Sequence, residues 1–276
     1  MIDLSALAGI PVFLDPDSGE LSFGVDVSAE GTGERRVGEL ADVLAFPEAA
    51  TDRTDNVAYW LYRGVHAAGD DAALGTHGLR YDLTVTLPGD IGGELIKTAG
   101  HIHSIAPDGV GYPEIYDVIH GQAAFVLQFE DPLRVAIALC GPGERILIPP
   151  GASHLTVNIG TDALVVADLV AINSQNDYGE FKVRRGAAVH LVEDGAAWTE
   201  RINSLYDRTP IWHVLDGSRI GDFVPDQSPL YTDAIANTDA YAYLTAPAPR
   251  NPEMQALWVT PSGQAPGVAT GSIDQL

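Results

Sequence analysis

The chain has 276 residues, with 38 Asp+Glu against 15 Lys+Arg and a formal net charge of −23. That balance excludes a nucleic-acid or anionic-membrane partner, since both demand a cationic surface. A hydrophobic share of 46% suits a globular chain, and the lone Cys140 excludes an intrachain disulfide framework. With no cationic leader before Arg35 and no apolar run of about 18 residues, a soluble cytoplasmic protein is expected.

Residues 1–56 read as an irregular N-terminal arm, punctuated by Pro11, Pro16 and Gly31-Thr32-Gly33, with a helical turn or two at Gly38–Leu44. From Val57 the texture changes to short runs rich in β-branched and aromatic residues. These predict strands at Val57–Tyr62, Leu79–Leu87, Glu94–His103, Ile115–Ile119, Ala123–Phe129, Leu133–Leu139, Arg145–Ile148, His154–Ile159 and Leu164–Ala171. Turn signals such as Pro88-Gly89, Gly141-Pro142-Gly143 and Pro149-Pro150-Gly151 separate them. Many short strands without intervening helices indicate an all-β sandwich or barrel over 57–195. Residues 196–276 form a C-terminal extension whose Trp198, Trp212 and Trp258 need burial on the barrel or on a partner subunit. The last fifteen residues read as a tail.

Three features converge on a metal site. In His101-Ile102-His103, strand alternation sends both imidazoles to one side. Glu114 opens the next strand. The frame Gly141-Pro142-Gly143-Glu144 … Pro149 … Gly151 … His154 is turn, strand, turn and histidine, and it returns a third imidazole to the same face. Three histidines and a carboxylate suit one divalent first-row ion, iron(II) foremost, with manganese, nickel or zinc as alternatives.

The segments Gly100-His101-Ile102-His103 … Glu114 … Gly121 and Pro142-Gly143-Glu144 … Pro149 … Gly151 … His154 … Asn158 resemble the two cupin motifs. Residues 97–128, with Asn176-Asp177-Tyr178-Gly179, resemble the cupin-type glucose-6-phosphate isomerases, and the resemblance covers roughly 57–195. It implies a double-stranded β-helix barrel of jelly-roll type, a homodimer, and metal-dependent isomerisation of glucose 6-phosphate and fructose 6-phosphate in central carbon metabolism. His101, His103, Glu114 and His154 would be the metal ligands. Thr84, Thr98 and Gly100 would meet the sugar phosphate, and Glu114, Tyr116 and Tyr178 the reacting end of the sugar. Asn176 stands where the family usually has histidine, and a second pocket tyrosine of some members is replaced near Val170. The loop Ser104–Pro113 is longer than in the shortest members and reads as a variable lid.

For the chemistry, Glu114 is the expected base, and Tyr116, two residues on, shares its strand face. The phosphate needs cations, and the chain has only two lysines, Lys97 and Lys182. Strand parity puts Lys97 on the face of His101 and His103, and Thr98 on the other. Either Gly100 breaks the alternation, or Lys97 and backbone N–H groups hold the phosphate. Arg80, Asp82 and Thr84 share one strand face, which makes Arg80 a further candidate. The rival readings are a cupin acting on another sugar phosphate, a dioxygenase, and a non-catalytic sugar sensor.

Overall fold

The computed structural model describes residues 1–130, 133–195, 197–224, 228–259 and 271–272. In chain order the barrel strands are β1 (Val27–Arg36), β2 (Val57–Ala67), β3 (Leu79–Thr86), β4 (Glu114–His120) and β5 (Ala123–Phe129). They continue as β6 (Arg134–Cys140), β7 (Arg145–Ile148), β8 (Ser153–Asn158), β9 (Leu164–Ala171) and β10 (Ile211–Asp216). One sheet runs β7-β4-β9-β3-β2-β1 and faces a second that runs β8-β5-β6-β10. From β4 to β9 the chain passes between the sheets, with β5, β6 and β8 in one and β4, β7 and β9 in the other. All pairs are antiparallel except β6–β10, which is parallel.

Alternation sorts the side chains into three apolar layers. On β3, Leu79, Tyr81, Leu83 and Val85 point outward, where Leu4, Val12, Tyr231, Tyr241 and Met254 from the two ends of the chain cover them. Between the sheets lie Val118, Phe125, Ala138, Ile146 and Val166. The outer face of the second sheet, with Val126, Val135 and Ile137, packs beneath Val37, Leu40, Leu44 and Trp198. Strands buried on both faces need nearly continuous apolar runs, and every residue of Leu164–Ala171 is buried.

The structure departs from the sequence reading at both ends. The stretch to residue 56 is not irregular. It holds a small sheet of Ile2–Asp3, Val12–Leu14 and Leu21–Phe23, and the ten-residue β1, which extends the first barrel sheet. The sequence of β1, VSAEGTGERR, shows little apolar alternation because backbone pairing to β2, rather than side-chain burial, holds this edge strand. The expected strand Glu94–His103 survives only as Glu94–Leu95 and Ile102–His103, because Gly100 adopts φ +74° and breaks the run. In the C-terminal extension, Trp198 and Trp258 are buried, and the Trp258 indole donates to the Leu147 carbonyl at 2.9 Å. Of the expected tail, only 271–272 lies within the described residues, where it pairs with Ala197–Trp198.

Candidate metal centre

Segment 97–103 runs along β8. His101 and His154 exchange backbone hydrogen bonds of 3.0 and 2.8 Å, and Thr98 N–H donates to the Thr156 carbonyl at 2.9 Å. His101 therefore lies beside the start of β8, and Ile102–His103 is held from the other side by Asn176–Asp177. Glu114 opens β4 opposite Ile148 and Val170. The ligand atoms of His101, His103, Glu114 and His154 all lie within 4.8 Å of one another.

The donor set fits a metal ion. The Nε2 atoms of His101 and His103 face each other at 3.1 Å, and Glu114 Oε2 lies 3.1 Å from His154 Nε2 and 3.5 Å from His103 Nε2. On the far side of the rings, His103 Nδ1 meets the Tyr112 carbonyl at 3.0 Å and His154 Nδ1 the Ala152 carbonyl at 3.3 Å. Each carbonyl accepts from Nδ1–H, which orients the ring with Nε2 toward the cluster. Burial pushes His103 down to about 4, and burial together with the charges of His154 and His103 pushes His101 well below the ordinary imidazole range. Burial alone would raise the Glu114 carboxyl. The hydrogen bond to His154 and the charges of the three imidazoles outweigh it and hold the group below the usual carboxylate range. A divalent cation requires deprotonated ligands, and the lowered His101 and His103 and the ionised Glu114 meet that requirement.

The cluster sits at one end of a cavity walled by the first sheet and by segments 98–103 and 174–178. Tyr116, Tyr178, Thr84, Thr98 and Gly100 all line it. Burial and the Glu114 charge keep the Tyr116 phenol well above its ordinary range. Tyr178 is half-buried, its ring 5.7 Å from that of His101, and Asn176 Nδ2 donates to its hydroxyl at 3.4 Å. Val170 also lines the wall.

Lys97 does not line it. Gly100 breaks the parity that would send Lys97 inward. The ammonium is instead buried against Glu94 at 2.6 Å and donates to the Val43 carbonyl at 2.7 Å. A Cβ on Gly100 would fall 2.4 Å from the Phe181 ring, so the kink needs glycine on both counts. The loop Ser104–Pro113 is a hairpin pinned by Ile105–Gly111 pairing and by Ala248 N–H, which donates to Asp108 at 2.8 Å.

Sequence reasoning misses Arg35, Arg63 and Asp168 of the cavity wall. A signal for Arg63 is present, since Tyr59, Leu61 and Arg63 alternate along β2 and all three line the cavity. Asp168 stands out in the sequence only as an interruption of the apolar run from Ala163 to Ile172. It is fully buried between Asp82 and Tyr116 on the neighbouring strands, and burial with the Glu114 charge pushes it well above the carboxylate range.

Facing sheets of this strand order, with three histidines and a glutamate gathered at one end of the cavity, define a cupin-type barrel with a candidate metal centre. Similar solved structures include an oxalate oxidase with a substrate analogue, glycolate (17% identity, TM-score 0.32, 59% of this chain and 60% of that one). Another is a singly substituted oxalate decarboxylase of B. subtilis (14% identity, TM-score 0.32, 44% and 28%). At those scores the strand order, not the likeness, defines the fold. A family model described as glucose-6-phosphate isomerase (GPI) matches residues 34–208, from within β1 to beyond the barrel's central strands. The glucose-6-phosphate isomerase of Thermococcus kodakarensis is 30% identical over 187 residues, which cover 67% of this chain and 91% of that relative. The Sinorhizobium medicae enzyme of the same name is 29% identical, covering 67% and 84%. The chain belongs to the glucose-6-phosphate isomerase family.

Proposed function

We propose that the chain interconverts glucose 6-phosphate and fructose 6-phosphate, using a divalent first-row metal, iron(II) foremost, held by His101, His103, Glu114 and His154. The observation that carries this reading is the convergence of those four donors at one end of a polar cavity in a chain of this family. Moving between aldose and ketose requires a proton to pass between C2 and C1 while negative charge gathers on two neighbouring oxygens. A bound cation there supplies Lewis-acid polarisation of the carbonyl.

Glu114 is ionised at neutral pH and carries the proton, with one oxygen turned to His154 and His103. Tyr116 keeps its phenolic proton and donates to a sugar oxygen beside Glu114. Tyr178 covers the open side of His101 and sheds water from it. Thr84, Thr98 and the backbone at Gly100 offer hydrogen bonds further along the sugar.

Metal-stripped protein reloaded with single ions and assayed on fructose 6-phosphate tests the reading. Turnover should vanish with the metal and return best with iron(II). Inactivity with every ion would refute it and favour the oxygenase or sensor alternatives.

A further inference from the structure

The C-terminal extension has two parts with different contacts. Its first part packs Leu230, Tyr241 and Leu244 on the outer face of the first sheet. Its second, the short helices Ala248–Arg250 and Asn251–Ala256 and the chain on to Trp258, donates hydrogen bonds to the loops that flank the metal ligands. The Trp258 indole donates to the Leu147 carbonyl at 2.9 Å, on the edge strand β7. Gln255 Nε2 donates to the Pro150 carbonyl at 2.8 Å, in the turn that follows β7. The Ala248 N–H donates to Asp108 at 2.8 Å, at the tip of the hairpin Ser104–Pro113. All three donors lie beyond residues 34–208, the stretch that the family model matches.

Both loops carry a carbonyl that orients a ligating ring. The hairpin holds Tyr112, whose carbonyl takes His103 Nδ1, and the turn holds Ala152, whose carbonyl takes His154 Nδ1. Neither loop has much slack. Tyr112 N–H donates to the Ser104 carbonyl at 3.1 Å, and Ala152 N–H to the Pro149 carbonyl at 3.2 Å. The loops also abut, since a Cβ on Gly111 would fall 3.0 Å from the Gly151 nitrogen. A displacement at Asp108 or Pro150 is therefore passed on to the two carbonyls. Such outer partners of a ligating histidine are worth about 10–100-fold in metal affinity. The donors themselves stand on a fixed base: Arg250 stacks at 3.8 Å on the Phe223 ring and pairs with Asp222 at 2.8 Å, and Met254 is fully buried.

We propose that residues 248–258 form a strap that fixes both loops and, through the Tyr112 and Ala152 carbonyls, the aim of His103 and His154 at the metal. Asp108 and Gln255 are then positioning residues, and neither lines the cavity. The strap rests on the metal centre of the reading above and is independent of which sugar is turned over.

The test uses the full chain loaded with cobalt(II), whose visible absorption reports ligand geometry and whose release into excess chelator gives a rate. Asp108→Ala and Gln255→Met should each speed release about threefold or more, and the pair about tenfold, with the absorption bands altered. Asp108 also accepts from the Val110 N–H of its own hairpin at 3.2 Å. Gln255→Met leaves that hairpin intact, so its effect belongs to the strap alone. Tyr231→Phe is the control for stability. It removes a hydroxyl that donates to Asp70 at 2.9 Å from the first part of the extension, and it should lower the melting temperature without moving release or spectrum. Release at the parent's rate in the double variant would overturn the strap and leave the metal centre standing, as would equal acceleration by Tyr231→Phe. A parent that binds no cobalt(II) would overturn the metal centre and the strap with it.

Discussion

Glu114 shows how one side chain is set to two tasks. Three imidazoles hold it ionised despite complete burial, and Asp168 and Tyr116 stand beside it with their protons retained. Glu114→Gln removes both a ligand charge and the base. A general base contributes about 10²–10⁴-fold, so kcat should fall at least a hundredfold in variant protein reloaded to full metal occupancy. Near-normal turnover with metal retained would remove Glu114 from the proton transfer and leave it a ligand only. At this scale the sequence is legible wherever alternation or a turn fixes the direction of a side chain. His101, His103, Glu114 and His154 follow from an HxH pair and two turn frames. Lys97 does not follow, because parity holds only while the strand does, and Gly100 ends it three residues later.

That displaced lysine has a structural task among the elements. Glu94 Oε1 accepts from Lys97 at 2.6 Å and from His190 Nδ1 at 2.8 Å, and its other oxygen accepts from the Ala45 N–H at 2.7 Å. With Lys97 donating to Val43, this buried cluster ties the 3₁₀ turn Val37–Val43, the strand Val189–Asp194 and the start of the site segment to one carboxylate. Burial would raise Glu94, but the Lys97 charge and the His190 hydrogen bond outweigh it and bring the group from its ordinary 4.5 to about 2. Burial also lowers His190 below 6.5. Both groups bind fewer protons in the folded state than in the unfolded one as the pH falls. The stability they contribute is therefore present at neutral pH, and Glu94's share is lost between about 4.5 and 2. Glu94→Gln leaves the Lys97 charge buried without its carboxylate and should cost about 3–5 kcal/mol at pH 7. Thermal melts across that acid window should be steeper for the parent than for the variant; equal slopes would show that Glu94 titrates normally. No local pattern announces this cluster, because its members are scattered along the chain from Val43 to His190. The barrel strands are legible in their alternation and turns, whereas β1 is not, since it is held by backbone pairing at an edge.

At the scale of the whole molecule, a net charge of −23 must admit a dianionic sugar phosphate. The cavity answers locally, with three guanidiniums and a donor set built for a divalent cation, inside a shell of opposite sign. Two effects of salt then compete. Screening the distant surface carboxylates eases the approach of the substrate, while screening the cations of the cavity weakens its hold. The Debye length falls from about 30 Å at 0.01 M to about 10 Å at 0.1 M, so over that range salt acts chiefly on charges across the molecule, not on groups in hydrogen-bond contact. The guanidiniums are also partly shielded from solvent, where ionic screening is weaker. The KM for fructose 6-phosphate should accordingly stay flat or fall slightly between about 0.01 and 0.1 M of an inert chloride salt, with kcat unchanged. Sulfate and phosphate salts are unsuitable, since their anions would compete with the sugar phosphate. A steep rise in KM over that range would mean that long-range attraction guides the substrate in, and the negative shell would then have to be interrupted at the cavity mouth.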